Sequence, residues 1–258
     1  MKRRSFVKSL SAASLLLSQS PSVLSAQSME SLAPATATPG FMPDVEILLR
    51  AVVDEVSLRE GAPTQLWRFN GELMKGQSNA LAFLDGSGHI PIIRVRRGQK
   101  IRIHFENDLP ESSIVHWHGL NIPQRMDGHP MYAIAPGERY VYEIAIDNRA
   151  GTYWFHPHPH ERTSFQVYQG LVGMLIVHDE EEDLVALPTA EQDIPLMIQD
   201  RSFSSDNQLE YIGPMRMNWM MGFSGDYVLV NGRADYNRTV SRCAHRVRII
   251  NTSNASLY

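Results

Sequence analysis

Five of the ten histidines in this sequence of 258 residues stand on two short segments, at alternate positions. The segments read IVHWHGL (114–120) and GTYWFHPHPH (151–160), and the five residues are His116, His118, His156, His158 and His160. Side chains two residues apart on a β-strand point to the same face, so each segment would present its imidazoles together. Imidazole nitrogen suits copper, zinc, nickel and iron. The spacing therefore predicts a nitrogen-rich metal site without choosing the metal.

The alternative interpretation is that these histidines are packing or surface residues. A single His-x-His pair favours that interpretation, because histidine is intermediate in burial. Two such motifs in one β-rich region, each with a tryptophan beside or just before it, favour the metal site instead. The remaining histidines stand alone and are interpreted as packing or surface residues: His89, His104, His129, His178 and His245.

The segments that must position these histidines are predicted to be strands. Apolar and polar residues alternate in short runs separated by Gly, Pro and Asp, which is typical of a β-sandwich or Greek-key barrel. The predicted strands lie at 45–53, at 92–106 in two runs, and at 140–146, 172–177, 194–199, 227–231 and 246–251. No sustained helical pattern follows residue 26. Pro157 and Pro159 cannot donate to a ladder, so the second histidine segment must lie at an edge or leave the sheet there.

The chain divides into four predicted regions. Residues 1–26 have a basic start, an apolar run and small residues, which describes a secretory signal and not a membrane span. Residues 27–43 are predicted to be a flexible linker, and residues 44–180 a first β-domain. The acidic run Asp179–Asp183 is interpreted as a solvated loop at a domain boundary. Residues 188–258 contain three recognisable strands, where a sandwich needs about seven, so this second domain is predicted to be truncated.

Composition narrows the possible functions. With 24 basic and 28 acidic residues, the chain has a formal charge of −4, which offers no broad basic surface for nucleic acid. The single cysteine excludes an internal disulfide framework and a multi-cysteine zinc site. The Arg-Arg-x-Phe-x-Lys core at 3–8 resembles a twin-arginine export signal. That resemblance implies recognition by the twin-arginine machinery and export to a bacterial periplasm.

The histidine segments and their neighbours resemble the first cupredoxin (plastocyanin-like) domain of the multicopper oxidases, closest to the bacterial branch of copper-efflux oxidases and laccases. The motifs that carry the resemblance cover residues 45–258: His116–Gly119, Met126–Gly128, Pro136-Gly137, Gly151–His158, Gln169–Gly173, Ile194–Phe203, Leu229–Gly232 and Arg246–Ala255. The resemblance implies an all-β chain, with a cupredoxin-like Greek-key β-sandwich followed by an incomplete second cupredoxin-like domain.

The resemblance also implies a trinuclear copper cluster that reduces dioxygen to water with electrons from a small reducing substrate. It assigns His116 to the type 2 copper, and His118, His156 and His158 to the type 3 pair. His160 is expected to have a supporting or packing role. Asp127 matches an acidic residue that assists proton delivery, a role that suits a carboxylate. An ordinary Asp-Gly turn residue fits Asp127 equally well.

The sequence also departs from the family pattern. The family takes the other half of the cluster ligands, and the type 1 copper site, from a third domain, and this sequence contains no His-Cys-His. Cys243 is interpreted as a small packing residue. The methionines 215, 217, 220 and 221 are interpreted as interface packing, with Cu(I) binding as the alternative. We therefore expect half of an oxidase that is inactive alone; the alternatives are a non-catalytic copper-binding module and a structural cupredoxin module. The reducing substrate (Cu(I), a phenol or similar) and the oligomeric state stay open.

Overall fold

Three β-sheets make up most of the structure, a computed structural model that describes residues 33–212 and 222–258. The predicted signal at 1–26 and the methionine cluster at 215–221 lie outside the described residues. The strands are β1 Val45–Val56, β2 Thr64–Lys75, β3 Leu81–Phe83, β4 Pro91–Arg96, β5 Lys100–Asn107, β6 Val115–His118, β7 Arg139–Ala145, β8 Gly151–Pro157, β9 Gly173–His178, β10 Asp193–Phe203, β11 Leu209–Glu210, β12 Tyr227–Val230 and β13 Arg246–Asn251. Two short helices, α1 Thr163–Gln169 and α2 Glu180–Asp183, flank β9.

The sheets mix parallel and antiparallel pairs. The first sheet has the order β2-β1-β5-β7, and the second has the order β3-β4-β9-β8-β6. In the third sheet, β10 pairs with β11, β12 and β13. The pairs β1–β5, β4–β9 and β10–β13 are parallel, and such pairs need crossover connections instead of tight hairpins.

The second sheet is buried on both faces. Its inner face packs against the first sheet in one core that includes Trp117 and Phe155 from the second sheet and Tyr142 from the first. Its outer face carries a smaller cluster in which Met174 and Ile176 of β9 meet Met197 of β10. Burial on both faces explains why β9 reads GMLIVH, an apolar run without alternation.

Each predicted strand has a counterpart in the structure, but five elements were not predicted. These are β2, β3, β11, α1 and α2. Helix α1 has only seven residues, too few for a clear helical period, and it ends at Gly170, whose φ of 120° requires glycine. Among the described residues, no helix is long and apolar enough to span a membrane.

The prediction of a flexible linker is wrong for residues 33–43. Ala35 is buried in the main core, and its carbonyl accepts a hydrogen bond of 2.9 Å from the Val141 amide. Arg102 donates to the carbonyl of Phe41 at 2.8 Å. Small and proline-rich residues suit an extended segment that packs along a strand as well as they suit a linker.

The acidic run is not simply a solvated loop. Residues 180–183 form α2, and the Asp179 side chain accepts a hydrogen bond from the Glu182 amide. The Glu182 side chain is only 10% exposed and pairs with Arg246 and Arg248 of β13. The acidic neighbours of Glu182 suggested that it would be solvated. It is buried instead, because two arginines distant in sequence pair with its carboxylate. Residues 33–258 form one compact unit.

Candidate metal centre

Strands β6 and β8 pair in a register that places the histidines opposite one another. His116 faces His156 across the antiparallel pair, and His118 faces Trp154. Directly opposed residues share a face of the sheet, with Cβ atoms about 5 Å apart. The intervening Trp117 and Phe155 point to the other face and are fully buried in the main core. The apolar residues thus fix the register that gathers the imidazoles on the outer face.

The rings of four predicted ligands come together. The ring of His116 lies 5.4 Å from that of His118, 5.2 Å from that of His156 and 5.4 Å from that of His158, measured between centroids. One ligand nitrogen each from His116, His118 and His156 lies within 4.8 Å of the other two. These three residues therefore offer convergent donors to a metal ion, and His158 borders them.

His158 reaches the cluster from beyond the end of β8. The chain leaves the strand at Pro157, as predicted from the prolines, and the amide of His158 donates to the carbonyl of Ile114 at 2.8 Å. The Nδ1 atom of His158 is buried and has no hydrogen-bond partner. A buried nitrogen without a partner is costly, and an ion bound to it would remove that cost.

Backbone carbonyls orient two of the rings. Nδ1 of His116 is 2.7 Å from the carbonyl oxygen of Asp127, and Nδ1 of His156 is 2.9 Å from the carbonyl oxygen of Pro157. A carbonyl can only accept, so each Nδ1 carries the proton and each Nε2 keeps its lone pair. Nε2 of His156 lies 3.3 Å from Nδ1 of His118. These two nitrogens are therefore close enough to bind one ion together.

Burial keeps most of these imidazoles uncharged. It lowers the pKa of His156 to about 3, an effect that the neighbouring histidines reinforce. Burial and the nearby His116 lower the pKa of both His118 and His158. Only an unprotonated imidazole can bind a metal. At neutral pH these three side chains are therefore ready to act as ligands.

Asp127 lies at the edge of the cluster, at the end of a short 3-10 turn formed by Gln124–Met126. Its carboxylate Oδ1 is 3.1 Å from Nδ1 of His116, but Nδ1 is directed to the Asp127 carbonyl. Oδ1 itself is buried and makes no hydrogen bond. The next residue, Gly128, has a φ of 71°. Asp127 is thus both a turn residue and a neighbour of a histidine ring.

A polar network that was not predicted holds the histidine segments together. Arg162 donates two hydrogen bonds, of 3.0 and 2.7 Å, to the carboxylate of Glu111, which precedes β6. Gln166 of α1 donates to the same carboxylate at 2.9 Å and accepts from the Ser113 hydroxyl at 2.8 Å. Helix α1 is thereby fixed to the segment before His116. Because the partners are about 50 residues apart, sequence spacing gave no sign of the network.

The cluster opens onto a groove of about 530 Å³. His118, Trp154 and His156 form one side of it, α1 forms another, and residues 252–254 after β13 close a third. The ring of Trp154 lies against that of His156, with centroids 4.2 Å apart and the ring planes tilted by 34°. His118 is exposed here in spite of its lowered pKa. A small molecule or a further protein segment could therefore reach the ring nitrogens from this side.

The donor set fits copper. It consists of imidazoles, with no described cysteine or carboxylate within the convergent group. Imidazole is a ligand for copper in both oxidation states that biology uses, although it also suits zinc, nickel and iron.

The other predicted residues lie away from the cluster. The side chain of His160 is 81% exposed and its nearest carboxylate is Glu161 at 3.9 Å, so the packing role expected for it is wrong. Cys243 is also exposed, which contradicts its predicted packing role, and its sulfur is 3.9 Å from His245. The isolated histidines have local partners: His89 bonds to Ser87, His104 to Glu46 and His178 to Glu182.

Comparisons with known proteins agree on one family. Residues 65–182 match the sequence profile described as multicopper oxidase. The multicopper oxidase mco of Staphylococcus aureus is 36% identical over 185 residues, which cover 71% of this chain and 40% of that protein. The cell division protein FtsP of Xenorhabdus nematophila is 33% identical over 196 residues, which cover 74% of this chain and 39% of that protein.

A solved structure shows the same fold. The crystal structure of the McoA multicopper oxidase from Aquifex aeolicus superposes with a TM-score of 0.70 at 38% identity, covering 85% of this chain and 45% of that one. The predicted all-β, cupredoxin-like fold is thus confirmed. The chain spans about 40% of the length of the curated relatives it matches.

Proposed function

Because this chain belongs to the multicopper oxidase family, we propose that His116, His118, His156 and His158 hold copper as part of a centre that reduces dioxygen to water. The convergence of their four rings on one face of the β6–β8 pair carries the proposal. Bound copper supplies one-electron chemistry, which couples the oxidation of a small reducing substrate to the reduction of dioxygen. The substrate class is Cu(I), a phenol or a similar one-electron donor.

The family resemblance gives each ring a separate role. His116 would hold the type 2 copper, and His118, His156 and His158 would hold the type 3 pair. The 3.3 Å separation between His118 and His156 supports their sharing one ion. The carbonyls of Asp127 and Pro157 would keep Nε2 of His116 and His156 directed at the metal, because they hold the opposite nitrogen of each ring.

Asp127 is proposed to assist proton delivery. Reduction of dioxygen consumes protons, and a carboxylate beside the centre can relay them from solvent. The buried Oδ1 faces the His116 ring while the residue as a whole is partly exposed, so the side chain touches both the cluster and solvent.

The groove beside His118 and His156 is proposed to face the remaining ligands. These four histidines are half of the family's set, and the 258 residues contain no His-Cys-His for a type 1 copper. Turnover therefore needs ligands that these residues do not supply. Residues 3–8 support export to a bacterial periplasm by the twin-arginine machinery, where such a centre would be assembled.

The match to FtsP, a relative named for cell division and not for an oxidase activity, favours a second candidate, a structural cupredoxin module without catalysis. A chain with only that role has no need for four neighbouring imidazoles with lone pairs free for a metal. A copper-binding module that catalyses nothing is the intermediate possibility, and copper titration distinguishes these candidates.

The experiment is a Cu(II) titration of the full chain, purified without a histidine tag and followed by optical and EPR spectroscopy. We expect an EPR signal with coupling to imidazole nitrogen and no intense blue absorption. His156→Ala should alter that signal. His160→Ala, which removes an exposed histidine from the same segment, should leave it unchanged. A strong blue band, or a signal that is identical in the His156→Ala variant, would contradict the proposed site.

A further inference from the structure

A second cavity, of about 730 Å³, shares no lining residue with the histidine groove. Its walls come from β4, β9, α2, the segment 183–193 and β13. Arg94, Glu182, Leu187, Asp193, Arg246 and Arg248 are among the residues that line it. The family resemblance assigns no role to this cleft.

The carboxylates that line the cleft already have partners within the protein. Glu182 bonds to Arg246, lies 3.2 Å from the Arg248 guanidinium, and accepts a hydrogen bond of 2.6 Å at the His178 ring. Asp193 accepts two hydrogen bonds from Nε of Arg248, at 2.7 and 2.9 Å. Asp183, the third acidic residue of the lining, pairs with Arg96. Each of the three carboxylates therefore already has a partner among the described residues.

Arg94 is left over. It lies on β4 between this cleft and a smaller cavity of about 150 Å³, and it lines both. Its amide donates to the carbonyl of Ala80 at 2.8 Å. Among the described residues, its guanidinium has no hydrogen bond and no carboxylate within 4.0 Å. A guanidinium offers five N–H donors in a planar fork that matches a carboxylate or a phosphate.

The electrostatic state of Arg94 differs from that of its neighbour. Burial lowers the pKa of Arg94, and Asp193 offsets this only in part. Arg248 is almost fully buried, yet its hydrogen bonds to Asp193 and Glu182 outweigh burial and raise its pKa. Arg94 thus bears the cost of partial desolvation without the ion pair that normally offsets it, and an added anion would supply that pair.

The remaining walls of the cleft select for an organic anion. Val185, Ala186 and Leu187 present apolar surface, and Leu187 is 38% exposed. Ala190 has a φ of 53°, a left-handed conformation that costs an alanine about 1 kcal/mol. Strain of this kind persists where surrounding structure holds it, often at ligand sites. An apolar wall beside a free guanidinium matches a molecule with one charged end and one apolar end.

We propose that this cleft binds a small organic carboxylate, whose oxygens accept hydrogen bonds from the Arg94 guanidinium while its apolar body lies against Val185 and Leu187. The site is separate from the copper centre and independent of the proposed oxidase function. The binding needs no metal.

The test is calorimetric titration of the full chain at constant ionic strength with benzoate, acetate and inorganic phosphate. We expect saturable binding of one benzoate, with acetate and phosphate weaker. Arg94→Gln should weaken benzoate binding by about tenfold or more, since a hydrogen bond to a charged group is lost. Arg94→Lys keeps the charge without the planar fork and should give an intermediate affinity.

Two further variants make the test decisive. Arg139→Gln removes an exposed arginine from β7, outside the cleft, and should leave benzoate affinity unchanged. Leu187→Ser should weaken benzoate but not acetate. Circular dichroism and melting establish that each variant folds, and if Arg94→Gln does not fold, Arg94→Lys and Leu187→Ser decide. Unsaturable benzoate binding, phosphate binding as tight as benzoate, or equal weakening by Arg139→Gln would overturn the proposal.

Discussion

Two histidines of the described residues are almost fully buried: His156, which is 6% exposed, and His89, which is 5% exposed. Burial lowers the pKa of His156 to about 3 and that of His89 to about 4. Their partners differ. Nδ1 of His89 lies 2.8 Å from the Ser87 carbonyl, and its ring packs on Gly232. The Nε2 atom of His156 lies 3.3 Å from a nitrogen of His118.

The difference shows that burial alone does not make a metal ligand. Burial keeps both rings uncharged, but the register of β6 and β8 brings His116 opposite His156, whereas no described histidine lies opposite His89 in a strand pair. Cys243 and His245 show the converse. They have the same two-residue spacing as His116 and His118, yet Cys243 is exposed, His245 is half-buried, and no described strand opposes them with ligands. A spacing motif becomes a site when a neighbouring strand completes it.

The largest expected effect comes from substituting two glycines, Gly128 beside β6 and Gly232 beside His89. A Cβ atom on Gly128 would lie 2.0 Å from the carbonyl oxygen of Val115, on the strand that carries His116. A Cβ atom on Gly232 would lie 2.5 Å from the His89 ring, a side chain that can shift. Gly128→Ala should therefore lower the free energy of unfolding by more than about 4 kcal/mol, and Gly232→Ala by about 3 kcal/mol.

Gly137→Ala is the matched control for these two variants. Gly137 also has a positive φ, of 83°, but a Cβ atom there would meet nothing within 4 Å. Its cost should be about 1 kcal/mol, from the left-handed conformation alone. Denaturant unfolding measures all three. Equal costs at positions 128 and 137 would mean that the close approach to Val115 does not hold β6 in place.

The second effect is a loss of stability in acid that comes from His89. Its pKa is about 6.5 in the unfolded chain and about 4 in the folded one, mainly because of burial, with Arg68, Arg201 and Arg233 adding to the effect. As pH falls from 6.5 to 4, His89 becomes protonated in the unfolded chain but stays largely unprotonated in the folded chain. Stability therefore falls with pH, by about 3 kcal/mol in total.

His89→Asn keeps a donor for the Ser87 carbonyl but removes the titration. The variant should lose less stability than the natural chain between pH 6.5 and 4, although both also contain the histidines of the cluster. The quantity to measure is the difference between their unfolding free energies at several pH values, without metal. A difference that stays constant across this range would show that His89 does not resist protonation.

The third effect separates the two buried sites by metal binding. His116→Ala should weaken copper binding by about 100-fold or more, equivalent to about 2.7 kcal/mol, because even loss of a group that only orients a ligand costs 10–100-fold. His89→Asn should leave copper affinity unchanged. Competition against a chromophoric chelator at neutral pH measures both. Comparable losses in the two variants would mean that copper binding reports on folding and not on these rings.

The sequence could predict the elements better than the contacts that complete the site. Alternating runs located β1 and β6–β8 with their histidines because each strand has one apolar and one polar face. The ion pair of Glu111 with Arg162 and that of Glu182 with Arg246 of β13 could not be predicted, because each joins residues too distant in sequence for any spacing rule. Burial of Ala35 was hidden for another reason, since a small residue in a proline-rich segment is compatible with both packing and solvent.

Asp127 is where sequence left two interpretations, and it gives the smallest expected effect. The structure directs Nδ1 of His116 to the Asp127 carbonyl, which any residue would supply, and not to the carboxylate. Asp127→Asn should therefore weaken copper binding by less than about tenfold, below the usual cost of losing a carboxylate partner. Chelator competition beside His116→Ala measures this. A loss as large as that of His116→Ala would show that the carboxylate holds the ring, whereas a small loss would show that the Asp127 carbonyl alone orients it.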